Sequence, residues 1–257
     1  MNINIQKLLL QKHDDYLFNL LNIDNFNKQT SHLRYFYSHI KKNHKKLPGD
    51  IFEFGCYKGR TLLAIALLLK RLKSNKIVYA FDSFKGFPKN IYSKEDSFES
   101  FKRNKEIQYK HDIVKKIRKF NAGIDINRKN ISSSEDFRFN SKKDLLKKIR
   151  LLGLKNIKLI EGNFEKTLPN FFKKYKNQIF SVNLDCDLYK SYKIVLETIY
   201  PKLTTKGYVH LDEYYSLKFP GCKIAVDEFC KNHHIKVKKN RNFKWEFKRY
   251  YLEKKNY

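Results

Sequence analysis

Short apolar runs alternate with amphipathic stretches along most of the chain. Runs rich in Ile, Val, Phe and Leu at 51–54, 76–81, 157–160, 179–184 and 208–211 are bounded by Gly, Asn or charged residues and predict strands. Between them, 59–72, 141–152, 168–175, 189–203 and 222–233 carry apolar residues at helical spacing. The tail IKVKKNRNFKWEFKRYY alternates apolar with polar positions and predicts two closing strands joined by a turn at 240–242. Alternating strands and helices predict a doubly wound α/β fold, a mostly parallel seven-stranded sheet with an antiparallel C-terminal strand.

Two stretches depart from this rhythm. Residues 1–46 are helical and amphipathic and predict a cap leaning on the domain or on a second subunit, a pattern consistent with a homodimer. Residues 90–140 lose the pattern in a charged, aromatic segment; a stretch of that length within a compact domain reads as a lid. One domain is expected over 1–257, with 47–257 as the catalytic core.

The first strand ends in IFEFGCYKGRT and the second ends at Asp82 in DSFKGFP. Strand, glycine turn, helix, strand and acid form an arrangement that holds an adenosine-containing cofactor. Pyrophosphate cofactors need closely spaced glycines, whereas only Gly55 and Gly59 are present here, with Cys56, Tyr57 and Lys58 between them. S-adenosylmethionine has no pyrophosphate. Its methionine tail can lie over Gly55, and an acid at Asp82 can bind the ribose diol. Tight packing at Gly55 is the competing explanation.

Acids also end the next two strands. NLDCDLYKSY places Asp185 and Asp187 beyond 179–184, and HLDEYY places Asp212 and Glu213 beyond 208–211. Carboxylates gathered in this way repel unless a cation or protons intervene, and an all-oxygen set suits Mg²⁺. The ion would acidify a substrate hydroxyl and orient its oxygen toward the cofactor methyl, which gives a mechanism for O-methylation. Against this, Asp187 could cap the helix starting near Tyr189, and Glu213 could be solvated surface.

Composition alters this picture little. The formal net charge of +29 points toward nucleic acid, but lysine greatly outnumbers arginine and is spread from end to end with Asn, Ile, Phe and Tyr. The codons of these residues are rich in A and T, so coding bias with solvated surface lysines is the plainer explanation. Cys56, Cys186, Cys222 and Cys230 show neither disulfide nor zinc spacing, which fits a reducing cytoplasm. The N-terminus lacks a signal-peptide core, and the longest apolar run, 62–69, is too short to cross a bilayer. His210 is expected to pack or support a neighbour, and His233 and His234 to face solvent or the helix dipole. Cys186, between two acids, is a poor nucleophile, and Ser83 and Ser191 lack a His and acid at triad spacing. Trp245 with Phe243 and Phe247 is expected to form an edge-strand face.

The phrases PGDIFEFGCYKGRT, AFDSFKGFP, IKLIEGNFEKTLP, VNLDCDLYKSYKIVLETIYPKLTTKGYVHLDEY and GCKIAVDEFCKNHHI occur in that order over about 48–235. In this the chain resembles the macrocin O-methyltransferase family of TylF type. The resemblance implies a class I methyltransferase sheet, S-adenosylmethionine, Mg²⁺ and a sugar or glycoside hydroxyl as acceptor. On it, Glu53, Gly55, Cys56, Tyr57, Lys58, Gly59 and Thr61 form the cofactor turn, and Asp82, Ser83 and Phe84 the ribose end. Gly162, Asn163 and Phe164 flank the adenine. Asp185, Asp212 and Glu213 correspond to the metal ligands; Asp185 and Asp187 are the catalytic candidates, Asp187 lying nearby as a general base or further support. The family more often has Asp-Asp where this chain has Asp212-Glu213. Leu188 stands where catechol-type enzymes carry a lysine, so that base is absent. The expected function is a metal-dependent sugar O-methyltransferase with a small-molecule or glycan acceptor. Methylation of RNA and a non-catalytic binding subunit are the alternatives.

Overall fold

The computed structural model describes residues 15–88, 90–105, 108–109, 127–133, 137, 141–243 and 248–255. Seven strands form one sheet: β1 (Asp50–Phe54), β2 (Val78–Asp82), β3 (Ile157–Glu161), β4 (Ile179–Leu184), β5 (Leu203–Leu211), β6 (Lys238–Lys239) and β7 (Tyr250–Glu253). Their order is β3-β2-β1-β4-β5-β7-β6. The first five pair in parallel, while β7 runs antiparallel to β5 and β6. This is the sheet the strand pattern and the resemblance predict. β5 begins earlier than the apolar run at 208–211, because Leu203 already pairs with Ile179.

The helices are α1 (Asp15–Leu20), α2 (Arg34–Asn43), α3 (Arg60–Arg71), α4 (Phe98–Arg103), α5 (Lys142–Leu151), α6 (Phe164–Lys174), α7 (Tyr189–Ile199) and α8 (Pro220–Asn232). Among the described residues no helix is long and apolar enough to cross a membrane. Ser141 caps α5 by accepting from the Asp144 N–H, which fixes its start. α6 begins earlier than the periodicity places it, with Asn163 as its N-cap residue.

The sheet separates two cores. On one side Phe52, Phe54 and Phe81 pack with Leu168, Phe172, Tyr192, Val195 and Val226 of α6, α7 and α8. On the other, Ile51, Val78 and Ala80 pack with α3, whose residues from Thr61 to Leu69 are all buried. A helix apolar on every side needs cover on every side. Phe18, Ile23, Phe26, Leu33, Phe36, Tyr37 and Ile40 join that same core at 0–3 % exposure. The N-terminal segment therefore closes the domain's own core. Fully burying one such side chain contributes about 1.5–3 kcal/mol.

Strand register sets the site. Phe54 pairs with Phe81 on one side and Leu184 on the other, and Leu184 pairs with Leu211. The next residue along each strand is therefore Asp82, Gly55, Asp185 and Asp212, in one row along the carboxyl edge. β1 lies at the point where the strand order reverses, which opens a crevice there.

Candidate functional site

A cavity of about 490 Å³ opens above this row. It is lined by Gly55, Cys56, Tyr57 and Thr61 from the first turn, Asp82 and Ser83 from the second, Gly162, Asn163 and Phe164 from the third, and Asp185 and Asp187 from the fourth. Most of the candidate residues therefore converge. His32, Arg60, Phe87, Ile91, Phe137 and Ile194 also line the cavity and were not singled out from the sequence. Arg60 directly follows Gly59, a position that could have signalled it; nothing in the helical pattern around His32 could.

The remaining cofactor candidates sit differently. Lys58 is exposed, its Nζ 5.0 Å from the centroid of the Tyr57 ring. Gly59 is the left-handed residue before α3. Phe84 packs in the core and donates its N–H to Asp82 Oδ1 at 2.7 Å. Asp82 Oδ2 accepts from the N–H groups of Cys56 at 2.8 Å and Tyr57 at 2.9 Å. Asp82 thus shapes the glycine turn from the neighbouring strand. A carboxylate offers about four lone-pair sites, so three accepted bonds leave acceptor capacity on Asp82, which also lines the cavity.

Glu53 lies beneath the turn at 0 % exposure. Its Oε1 accepts from Thr61 Oγ1 and from Asn183 Nδ2, the latter at 2.9 Å, whereas Oε2 has no partner. Burial pushes this carboxyl up to about 7, against the hydrogen bonds from Thr61 and Asn183. The folded protein then holds a proton that the unfolded chain releases near 4.5, so this group's contribution to stability falls as pH rises from about 4.5 to about 7. In metal-free buffer, Glu53→Gln, which mimics the protonated acid, should gain stability on wild type across that interval. The gain should reach about 3.4 kcal/mol and level off above it. Urea melts at a series of pH values measure the difference, and a pH-independent difference would remove this assignment.

Asp185, Asp187 and Glu213 each present a carboxylate oxygen within 4.8 Å of the others. Burial is the first cause of the rise in all three: Asp185 and Glu213 go well up, and Asp187 to about 8, with neighbouring acids adding to each. Asp212 behaves differently. Burial opposes its charge, but His210 Nε2 at 3.3 Å, His32 Nε2 at 3.8 Å and Arg249 Nη1 at 3.7 Å hold it well below the usual carboxylate range. Burial pushes the His210 imidazole down, against the pull of Asp212, which its Nε2 meets at 3.3 Å. Of the acids named as ligands, the structure brings Asp185 and Glu213 together, adds Asp187, and directs Asp212 to its basic neighbours.

Local structure explains this grouping. Asp187 sits in the left-handed region at φ 64°, which Asp tolerates better than most residues, and its carbonyl accepts from Cys222 Sγ at 2.7 Å. It does not cap α7. The Tyr189 N–H goes instead to Asp96 Oδ1 at 2.9 Å, and Asp96 Oδ2 accepts from both Ser93 N and Ser93 Oγ at 3.1 Å. The described start of the 90–140 insertion is thereby fastened to α7 beside the acids; much of the rest of that expected lid lies outside the described residues. Glu213 is 6 % exposed, so it is not solvated surface. The Tyr192 hydroxyl contacts Glu213 Oε2 at 2.6 Å and the Leu184 carbonyl at 2.8 Å, clamping the ends of β4 and β5.

Other side chains stand aside. Cys186 is pushed well up, by burial first and only then by the acids around it. His233 meets Glu197 at 2.9 Å near the end of α8. Trp245 and Phe247 lie outside the described residues.

All-oxygen, partly to fully buried and mutually repelling, the three carboxylates form a donor set that a hard divalent cation fits. The sequence pattern of the family described as Macrocin-O-methyltransferase (TylF) matches residues 27–242. Demethyldecarbamoylnovobiocin O-methyltransferase of Streptomyces niveus is 26% identical over 187 residues, 71% of this chain and 58% of its own length. Mycinamicin III 3''-O-methyltransferase of Micromonospora griseorubida is 25% identical over 190 residues, 74% of this chain and 63% of its own. The chain thus spans less than two thirds of either relative. The structure of the O-methyltransferase NovP superposes with a TM-score of 0.61 at 21% identity, covering 98% of this chain and 97% of its own. That of CalS11, a calicheamicin methyltransferase, superposes with a TM-score of 0.60 at 22% identity, covering 97% and 91%. These likenesses establish the fold.

Proposed function

This chain belongs to the macrocin O-methyltransferase (TylF) family, and from that premise we propose that it transfers a methyl group from S-adenosylmethionine to a hydroxyl of a sugar or glycosylated acceptor. The observation that carries the reading is the convergence of Asp185, Asp187 and Glu213 beside a cavity that Asp185 and Asp187 line together with the Gly55–Tyr57 turn and Asp82. At about 490 Å³ the cavity lies within the range of small-molecule and cofactor sites.

Gly55, Tyr57 and Thr61 take the methionine side of the cofactor, Asp82 and Ser83 the ribose, and Gly162, Asn163 and Phe164 the adenine. The cofactor supplies an electrophilic methyl on a sulfonium. Its transfer to the acceptor oxygen would leave the carbon–sulfur electron pair on sulfur, and the hydroxyl proton would pass to a carboxylate of this site. Asp187 is our candidate for that last role because it lines the cavity next to Asp185. Asp185 and Glu213, with Asp187 or a reoriented Asp212, would hold Mg²⁺. The ion would lower the hydroxyl's pKa and neutralise the acids. Tyr192 keeps Glu213 aimed at the other carboxylates.

All four cysteines are free and buried, which agrees with the cytoplasmic location this reading carries. Among the described residues of the N-terminal helices, Tyr16 and Leu20, at 72% and 65% exposure, are the large apolar side chains left open for a homodimer contact. The test is mass-spectrometric detection of methyl transfer from S-adenosylmethionine to a panel of nucleotide sugars and glycosides, with Mg²⁺ and with EDTA. Transfer that stops in EDTA supports the whole reading. Undiminished transfer in chelator removes the metal, and no binding of S-adenosylhomocysteine removes the cofactor.

A further inference from the structure

The charged side chains that line the cavity are Asp82, Glu165, Asp185, Asp187 and Arg60, joined by His32. Arg60 is the one lysine or arginine among the described lining residues. Any ligand carboxylate entering this acidic space therefore has a single fixed cation to meet.

Arg60 is also held in place. It is the first residue of α3, and one guanidinium nitrogen reaches Asp24 Oδ1 at 3.3 Å. Asp24 is 3 % exposed and accepts in addition from Ser31 Oγ at 2.6 Å and Tyr37 OH at 2.9 Å. Its own N–H donates to the Arg60 carbonyl at 3.1 Å. The N-terminal segment thus grips Arg60 by backbone and by side chain together. A guanidinium has five N–H donors in a rigid plane; the contact to Asp24 uses one edge, and the side chain remains 57% exposed. The first turn of α3, beside it, has no side-chain cap, and the partial positive charge there also favours an anion.

We propose that Arg60 binds the carboxylate of the cofactor's amino-acid tail, and that Asp24 is a positioning residue that aims it. This rests on the methyl-donor reading above. The placement agrees with it: Arg60 lies on the turn with Tyr57 and Thr61 at the end of β1, while Gly162 to Phe164, on the adenine side, lie at the end of β3, two strands away. Arginine suits the role because its fork matches a carboxylate in two parallel hydrogen bonds.

Two probes separate the tail from the rest of the cofactor. S-adenosylhomocysteine carries the α-amino and α-carboxylate groups; 5′-methylthioadenosine keeps the adenosine and a thioether but lacks both. Calorimetric titration of the full chain with each, for wild type, Arg60→Met and Arg60→Lys, reads the assignment without needing turnover. Arg60→Met should weaken S-adenosylhomocysteine roughly tenfold and leave 5′-methylthioadenosine within about twofold. Arg60→Lys, which keeps the charge and loses the fork, should fall between. Thermal melts of both variants check that the exposed position tolerates the change. An equal loss for both probes, or no loss for either, overturns the assignment to Arg60 while leaving the cofactor reading intact. If wild type binds neither probe, the cofactor reading itself falls, and this proposal with it.

Discussion

Asp185→Asn should lower methyl transfer by about a thousandfold or more and, in chelator, make the protein more stable than wild type. The two effects come from one cause. Asp185 is buried beside Asp187, Asp212 and Glu213, and every one of these charges raises its cost of ionising or that of a neighbour. Without a cation, folding must either leave these acids protonated or accept their repulsion. An asparagine of the same shape removes one charge and can donate its amide N–H to Glu213, which already hydrogen bonds to Asp185. Relief equivalent to about one pKa step on a neighbour is worth about 1.4 kcal/mol. For a chain of this size that raises the melting temperature by roughly 3–6 °C. The same substitution removes an oxygen from the donor set, so wild type should gain melting temperature on adding Mg²⁺ and the variant should gain little. Turnover within tenfold of wild type would end Asp185's role in catalysis. A variant less stable than wild type in EDTA would mean that the acids are not in mutual repulsion.

The strand edge was legible in the sequence because each apolar run stops abruptly at Gly55, Asp82, Asp185 or Asp212. A parallel sheet brings the ends of such runs level, and the register does so here to the residue. The role of the N-terminal segment was not legible. Its periodicity marks an apolar face but says nothing about which surface that face covers, and the need to enclose an all-apolar α3 is a property of the assembled core. The choice among Asp185, Asp187, Asp212 and Glu213 was hidden for a different reason. In the strings DCD and DE, ligands one or two residues apart are distinguished only by backbone turns: the left-handed Asp187 brings its carboxylate back, and the 3-10 turn Asp212–Tyr215 sends neighbouring acids to opposite sides. Asp96 was equally hidden, since the cap of α7 comes from 93 residues earlier in the chain.

Gly55→Ala should be the most damaging single substitution for the fold, costing more than about 4 kcal/mol and leaving protein that is largely insoluble. A β-carbon there would lie 1.7 Å from the Asp185 carbonyl oxygen and 2.8 Å from its carbon, on a backbone at φ +85° that L-residues rarely adopt. Neither side can yield. The Gly55 N–H is bonded to the Phe81 carbonyl at 2.9 Å and the Asp185 N–H to the Phe54 carbonyl at 3.0 Å, so three strands fix the approach. Gly59 is the control. Its added β-carbon, at φ +79°, would meet Leu145 Cδ1 at 2.3 Å, the far end of a flexible side chain. Gly59→Ala should therefore cost only about 1–2 kcal/mol and fold, as expression yield and urea melts would report. If Gly55→Ala folds with wild-type stability, the contact between the ends of β1 and β4 is not as described. Packing against Asp185 is thus sufficient to demand the first glycine, and its presence alone argues nothing about a cofactor. The case for the methyl donor rests instead on the groups gathered around that glycine at one cavity: Asp82, Arg60 and the carboxylates of Asp185 and Asp187. A methyl donor and its acceptor can meet there because the close approach that forbids a side chain at residue 55 also sets the turn directly beside Asp185.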